Sequence, residues 1–290
     1  MPMKRDRWAL LAIFLGGCAG PVEELQAEPP LEDGWAFVYQ DKGSKSPIDL
    51  RSLNETVAGQ SGFVKLSADG NSFTLGDGSP ARFWAVGSGV FQNPDVEEVR
   101  RHVKFLARMG VNMVRLHAQI SPKGPNSKLT DVDEKEIDGL WRFVAEAKKQ
   151  GIYVTISPYW AHGTDSARWG IPGVDSPGAL WGLLFFDETL QKGYKAWATA
   201  LYARPNPYTT IPLANDPSVA IIQVQNEDSL LFWTTQGMKP IHQAILSRKF
   251  AAWLVEKYGS SDAIKNAWAG DSRPGEDIAG GKVAMLDLYN

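Results

Sequence analysis

Asn226-Glu227-Asp228 closes a nearly continuous apolar run, Val219 to Gln225, that is broken only by glutamines. A carboxylate at the end of a buried strand can give or take a proton when its surroundings hold it against a reacting bond. The bland alternative for Glu227 is a solvated side chain in a loop between strand and helix. A second run, Val111 to His117, ends in Val114-Arg115-Leu116-His117. Strand alternation sends Arg115 and His117 to one face and Val114 and Leu116 to the other, so a cation and an imidazole face one cleft. His117 serves equally well as a hydrogen-bonded histidine at a rim. A third run, Ile152 to Ser157, leads into Pro158-Tyr159-Trp160 with His162 nearby. His117 and His162 lack a third ligand at a familiar spacing, so the expectation is no catalytic metal and no cofactor.

The elements that would position these groups follow from periodicity. Phe63-Val64-Lys65-Leu66 and Phe73-Thr74-Leu75, separated by Asp69-Gly70-Asn71, read as a hairpin, and Arg82 to Val86 as another strand. Asn93-Pro94 offers a cap and a first-turn proline for a helix from Asp95 to Met109, stopped by Gly110. Ile137, Leu140, Trp141, Val144 and Ala147 mark a second helix, and Leu190, Tyr194, Trp197 and Leu201 a third. Strands and helices alternate, which implies a parallel sheet buried on both faces, either a (β/α)8 barrel or a doubly wound sheet. No glycine-rich phosphate loop follows any strand, which argues against a nucleotide-binding open sheet. In such folds ligands meet the carboxyl ends of the strands, where Glu227, Asn226, Arg115 and His117 stand.

The chain has 290 residues with 30 basic and 33 acidic side chains and no long basic run, which leaves no footprint for a nucleic-acid backbone. The sole cysteine excludes an internal disulfide framework. Its place is informative: Lys4, Arg5 and Arg7 precede a short apolar run from Trp8 to Leu15, the order of a secretory signal. Leu15-Gly16-Gly17-Cys18 resembles a bacterial lipobox, which makes Cys18 the expected lipid-carrying residue. The chain is expected to be exported, with Ala19 after the cysteine suggesting an outer-membrane anchor, the alternative being a periplasmic or cell-surface protein. The expected layout is a signal over 1–17, a tether over 18–33, a β segment over 34–81 packing on the barrel, and barrel from 82 to 290.

Several segments in order resemble clan A of the glycoside hydrolases, a cellulase-like branch of bacterial secreted enzymes. They are Gly62-Phe63-Val64, Arg82-Phe83-Trp84, Met109-Gly110-Val111-Asn112-Met113-Val114-Arg115-Leu116-His117, Asn226-Glu227-Asp228-Ser229, and Trp253-Leu254-Val255-Glu256-Lys257-Tyr258-Gly259-Ser260. The resemblance implies a (β/α)8 barrel and a retaining enzyme that cleaves a β-linked polysaccharide or oligosaccharide. By match, Glu227 is the general acid/base, Asn226 contacts the sugar 2-hydroxyl, and Arg115 orients the nucleophile carboxylate. Such an acid needs a raised pKa, which an apolar cleft walled by Leu230, Leu231, Phe232 and Trp233 would supply. Strict alternation puts Asn226 and Glu227 on opposite faces, so a bulge or the strand's end must turn both toward the substrate. Trp160 and Trp233 are expected to stack on pyranose rings, whereas Trp141, Trp197 and Trp253 take helix-face positions in the core. Tyr159, Trp169 and Trp181 fit either use.

Four strands of the barrel are countable from Phe83 to Gln225, and residues 226–290 cannot hold four more units. The expectation is a barrel truncated after about four units, without the family's nucleophile Glu on the seventh strand. An exported lipoprotein that binds carbohydrate without cleaving it is the alternative reading.

Overall fold

The computed structural model describes residues 49–91, 95–124, 126–161, 166–231 and 233–284, without the side chains of Trp233 and Thr235. The signal segment, Cys18, the tether and His162 lie outside the described residues. Strands β1 (Lys65–Leu66), β2 (Phe73–Thr74) and β3 (Pro80–Ala81) pair antiparallel in chain order. The hairpin turn falls where expected, with the Asp69 carboxylate accepting the Asn71 N–H at 3.2 Å. Of the strand expected over 82–86, only Ala85 and Val86 are in a strand, β4 (Ala85–Ser88), and Arg82, Phe83 and Trp84 form a gap between β3 and β4. The Asn112 side chain accounts for the gap: its Oδ1 takes the Trp84 N–H at 2.7 Å and its Nδ2 donates to the Arg82 carbonyl at 2.8 Å, so a side-chain amide takes the place of a strand partner there, and main-chain pairing begins with the Asn112 N–H donating to the Trp84 carbonyl at 3.2 Å.

Strands β4, β5 (Met113–His117), β6 (Tyr153–Ser157) and β7 (Val219–Ile222) form a parallel sheet in the order β4-β5-β6-β7. Helices α1 (Val96–Arg108), α2 (Glu134–Lys148) and α3 (Glu188–Tyr202) connect them. A doubly wound sheet reverses its strand order at a switch point. This one does not, so the choice left open by periodicity resolves to the singly wound order of barrels. Among the described residues the sheet is open, with β4 and β7 as its edges.

Each connecting helix starts at an aspartate whose carboxylate accepts an early N–H of the first turn: Asp95 from Glu97, Asp133 from Lys135 and Glu136, Asp187 from Leu190. The cap of α1 is therefore Asp95, and the Asn93-Pro94 reading is corrected by two positions. Val114 and Leu116 of β5 and Val154 and Ile156 of β6 are buried together with Val99 and Val103 of α1 and Leu140, Phe143 and Val144 of α2. Burial of such side chains stabilises the fold by roughly 1.5–3 kcal/mol each. Trp141 and Trp197 join this core with their indole N–H groups satisfied, by the Leu201 carbonyl at 3.0 Å and the Leu129 carbonyl at 2.7 Å.

Trp253 departs from expectation. It is 49% exposed on α4 (Pro240–Tyr258), stacked on Phe250 at 5.9 Å with the Lys257 ammonium 4.8 Å from its ring centre. Apolar residues are spread around the whole of α4, and the inward positions are held by Leu246, Ala251 and Leu254. A short α5 (Ser261–Ala267) follows.

Residues before β1 bind the amino-terminal end of the parallel sheet. Asn54 Nδ2 donates to the Val111 carbonyl at 2.8 Å, the Ala58 N–H donates to the Lys148 carbonyl at 2.9 Å, and the Tyr153 hydroxyl donates to Glu55. Gly151 has φ +68°, and a Cβ there would collide with the Glu55 carbonyl, so the turn into β6 requires glycine. Ala58, Met113 and Tyr153 form a separate buried patch with Val64, Leu75 and Phe83 against it.

Candidate functional site

Burial along β5 alternates as the sequence implies, with Val114 and Leu116 in the core and Arg115 and His117 half-buried on the opposite face. Arg115 gathers the site. Its Nε donates to Gln223 Oε1 at 3.1 Å, its Nη2 donates to Asn226 Oδ1, and the same Nη2 lies 3.4 Å from His117 Nδ1. A guanidinium only donates, so in this contact the imidazole nitrogen is the accepting side. The His117 ring meets Trp160 edge-on at 4.8 Å, and the Trp160 N–H donates to Gln119 Oε1 at 2.7 Å.

Two devices bring Asn226 to Arg115. Val154 pairs with Val219 but Thr155 with Ile221, which leaves Ala220 as the extra residue of a bulge in β7. Regular pairing ends after Ile222 and resumes only at a single bridge between Asn226 and Trp160, where the Asn226 N–H donates to the Tyr159 carbonyl at 3.2 Å. The next residue, Glu227, has φ +45°, a left-handed backbone that is uncommon for a side chain of this kind and persists where the surroundings hold it.

Glu227 itself is exposed, and its carboxylate makes no hydrogen bond or ion pair among the described residues. The apolar walls expected around it are not assembled there. Leu231 is 80% exposed and Leu230 packs against the main core. The reason is local: Thr234 Oγ1 donates to the Ser229 carbonyl at 3.2 Å and closes a turn that drives one leucine in and the other out. Phe232 and the Trp233 side chain lie outside the described residues.

The aromatic residues divide in two. Tyr159 is fully buried against Tyr194 and Trp197 at 5.8 and 5.6 Å, and Trp169 is buried 5.6 Å from Trp197, so both belong to the core. Trp160 and Trp181 are half-buried. Burial, aided by the charge of Asp228, pushes the Tyr159 hydroxyl well above its usual range. Burial pushes Tyr194 up to about 12, and its hydroxyl donates to the Val224 carbonyl at 2.6 Å.

Four polar residues of this region were given no role by the sequence reading: Gln119, Gln223, Gln225 and Asp228. The signal was present for two of them, because Gln223 and Gln225 interrupt an apolar run at a spacing of two from Ile221. Together Arg115, Gln223, Asn226 and His117 form a row of fixed donors and acceptors beside the Trp160 ring, an arrangement suited to a ligand rich in hydroxyl groups. Among the described residues no three His, Cys, Asp or Glu side chains come together as a metal site.

No family model and no curated protein sequence matches the chain. Solved structures similar to it include the endo-1,4-β-mannanase from Rhizomucor miehei, at 16% identity and TM-score 0.46 over 78% of this chain and 67% of that one. The glycoside hydrolase family 5 mannosidase from the same organism aligns at 18% identity and TM-score 0.46, over 74% of this chain and 57% of that one. The endo-β-1,4-mannanase from Thermotoga petrophila aligns at 16% identity and TM-score 0.42, over 62% and 41% of the two chains. The chain thus spans about two thirds of the first of these proteins and less of the other two.

Proposed function

We propose that this chain carries the general acid/base of a retaining glycoside hydrolase acting on a β-linked polysaccharide or oligosaccharide, namely Glu227. The observation that carries the reading is the contact of Arg115 with Asn226, which joins the ends of β5 and β7 immediately before Glu227. Asn226 spends its Oδ1 on Arg115, which leaves its Nδ2 to donate to a sugar 2-hydroxyl. Trp160 and Trp233 would offer flat faces to pyranose rings. Glycosidic cleavage needs a carboxyl that donates a proton to the leaving oxygen and a second carboxylate opposite, and the exposed Glu227 is open to a substrate laid along this row.

Glu227→Gln keeps the shape and removes the proton. Cleavage of substrates with poor leaving groups should fall about 10²- to 10⁴-fold, and cleavage of activated aryl glycosides less, when assayed across β-linked glucan, mannan and galactan oligosaccharides. Equal rates for wild type and variant on both substrate types would sink the assignment. A second reading uses the same row of polar groups: Arg115, Gln223 and Asn226 beside the Trp160 ring could hold a sugar without cleaving it. On that reading the chain is a carbohydrate-binding exported lipoprotein, and the wild type should bind these oligosaccharides without cleaving them.

A further inference from the structure

Asp228, the neighbour of Glu227, takes no part in the contacts of Arg115 and has other partners. Its Oδ2 accepts the Gly182 N–H at 2.8 Å and also a bond from the Gln225 side-chain amide. Gly182 stands in the long connection between β6 and α3, at the entry to the one-turn helix Leu183–Phe185. It has φ +73°, and a Cβ there would lie 2.8 Å from Met238 Sδ, so the position is closed on one side by Met238 and on the other by the Asp228 carboxylate. Two further bonds tie the same two segments at a greater remove from Glu227: Lys239 Nζ donates to the Gly173 carbonyl and His242 Nε2 to the Pro172 carbonyl, each at 2.7 Å.

We infer that Asp228 is a positioning residue: it clamps the β6–α3 connection, which carries Trp181, to the end of β7 and thereby holds Glu227 in its left-handed backbone. The physical case rests on three points. A carboxylate that accepts two N–H donors makes charge-assisted bonds, about twice as strong as neutral ones. Both donors come from segments flanking Glu227, Gln225 from before it and Gly182 from across the site. The bonds sit in a buried setting, because Asp228 Oδ1, Gln225 Oε1 and the Tyr159 hydroxyl are all shut off from solvent without a partner among the described residues. A left-handed non-glycine backbone relaxes unless both sides of it are anchored, and here Asn226 is anchored to Tyr159 on one side and Asp228 to Gly182 on the other.

Hydrogen exchange of backbone amides tests the clamp without any assay of activity. Asp228→Ala should speed exchange in residues 179–186 and 225–231 together, by roughly tenfold or more, and leave β5 and β6 unchanged. Asp228→Asn should restore protection, because its amide oxygen accepts the Gly182 N–H and Gln225 can turn its unpartnered Oε1 toward the new amide group. In the wild type the two segments should open at one urea concentration, below that which opens β5, and this measurement stands even if Asp228→Ala fails to fold. Unchanged exchange at 179–186 in Asp228→Ala, or separate openings in the wild type, overturns the clamp. The catalytic consequence rests on the proposed hydrolase: Asp228→Ala should lower kcat at nearly constant KM, and Asp228→Asn should recover it. A wild type that cleaves no glycan defeats the hydrolase reading and leaves the exchange result to decide the clamp.

Discussion

Arg115 is the residue on which the site turns, because one guanidinium holds two elements of the sheet's rim through Gln223 and Asn226 and reaches His117 as well. Its planar fork fixes those directions in a way that a lysine ammonium, a point charge on a flexible stem, cannot reproduce. Arg115→Lys should therefore cost about 1.5–3 kcal/mol of stability, the usual worth of a hydrogen bond to a charged group, measured from the shift of the urea midpoint. The same change should weaken oligosaccharide binding, because Asn226 Oδ1 loses the partner that aims its amide. A stability change within experimental error would show that Gln223 and Asn226 keep their places unaided.

At the scale of elements, α1 meets the sheet through a histidine. The His102 ring lies 5.2 Å from Phe91 and 6.1 Å from Phe143, and its Nε2 is 3.2 Å from Ser88 Oγ. Burial lowers its pKa below 6.5, with Glu98 offsetting part of the shift. The folded state therefore favours the neutral ring, and the stabilisation is complete above the unfolded pKa and lost as the pH falls through the folded one. Between pH 7 and pH 5 the urea midpoint should drop more for the wild type than for His102→Phe, and parallel curves would refute the assignment. The elements differ in how plainly the sequence announces them. β5 was legible because Val114 and Leu116 alternate with Arg115 and His117, and a two-residue period has one structural meaning. The end of β7 was not, because Ile221 to Gln225 stays mostly apolar while pairing stops after Ile222, and a bulge at Ala220 leaves no trace in composition. Trp253 was misplaced because helical spacing gives a face without saying which face is covered. Asp228 was invisible for a different reason: its partner is a backbone amide 46 positions away, and a main-chain donor carries no residue type to read.

For the whole molecule, the expected address is a membrane surface. If Cys18 carries lipid, a fatty-acid probe supplied to growing cells should label the wild type and not Cys18→Ser, and equal labelling of the two would remove the anchor. The order of the sheet bears on how such a chain is made. Because β4, β5, β6 and β7 lie side by side in chain order, a chain that emerges amino end first presents each strand to a neighbour already there, and none need wait for a later one to be inserted between them. The segment that clasps the sheet from below, through Asn54 and Ala58, emerges before any of these strands yet can bond Val111 and Lys148 only after β5 and α2 have followed it. Growth of the sheet is thus vectorial while its fastening at the base is deferred, and Asn54 and Ala58, early among the described residues, must wait until α2 is complete before both can bond.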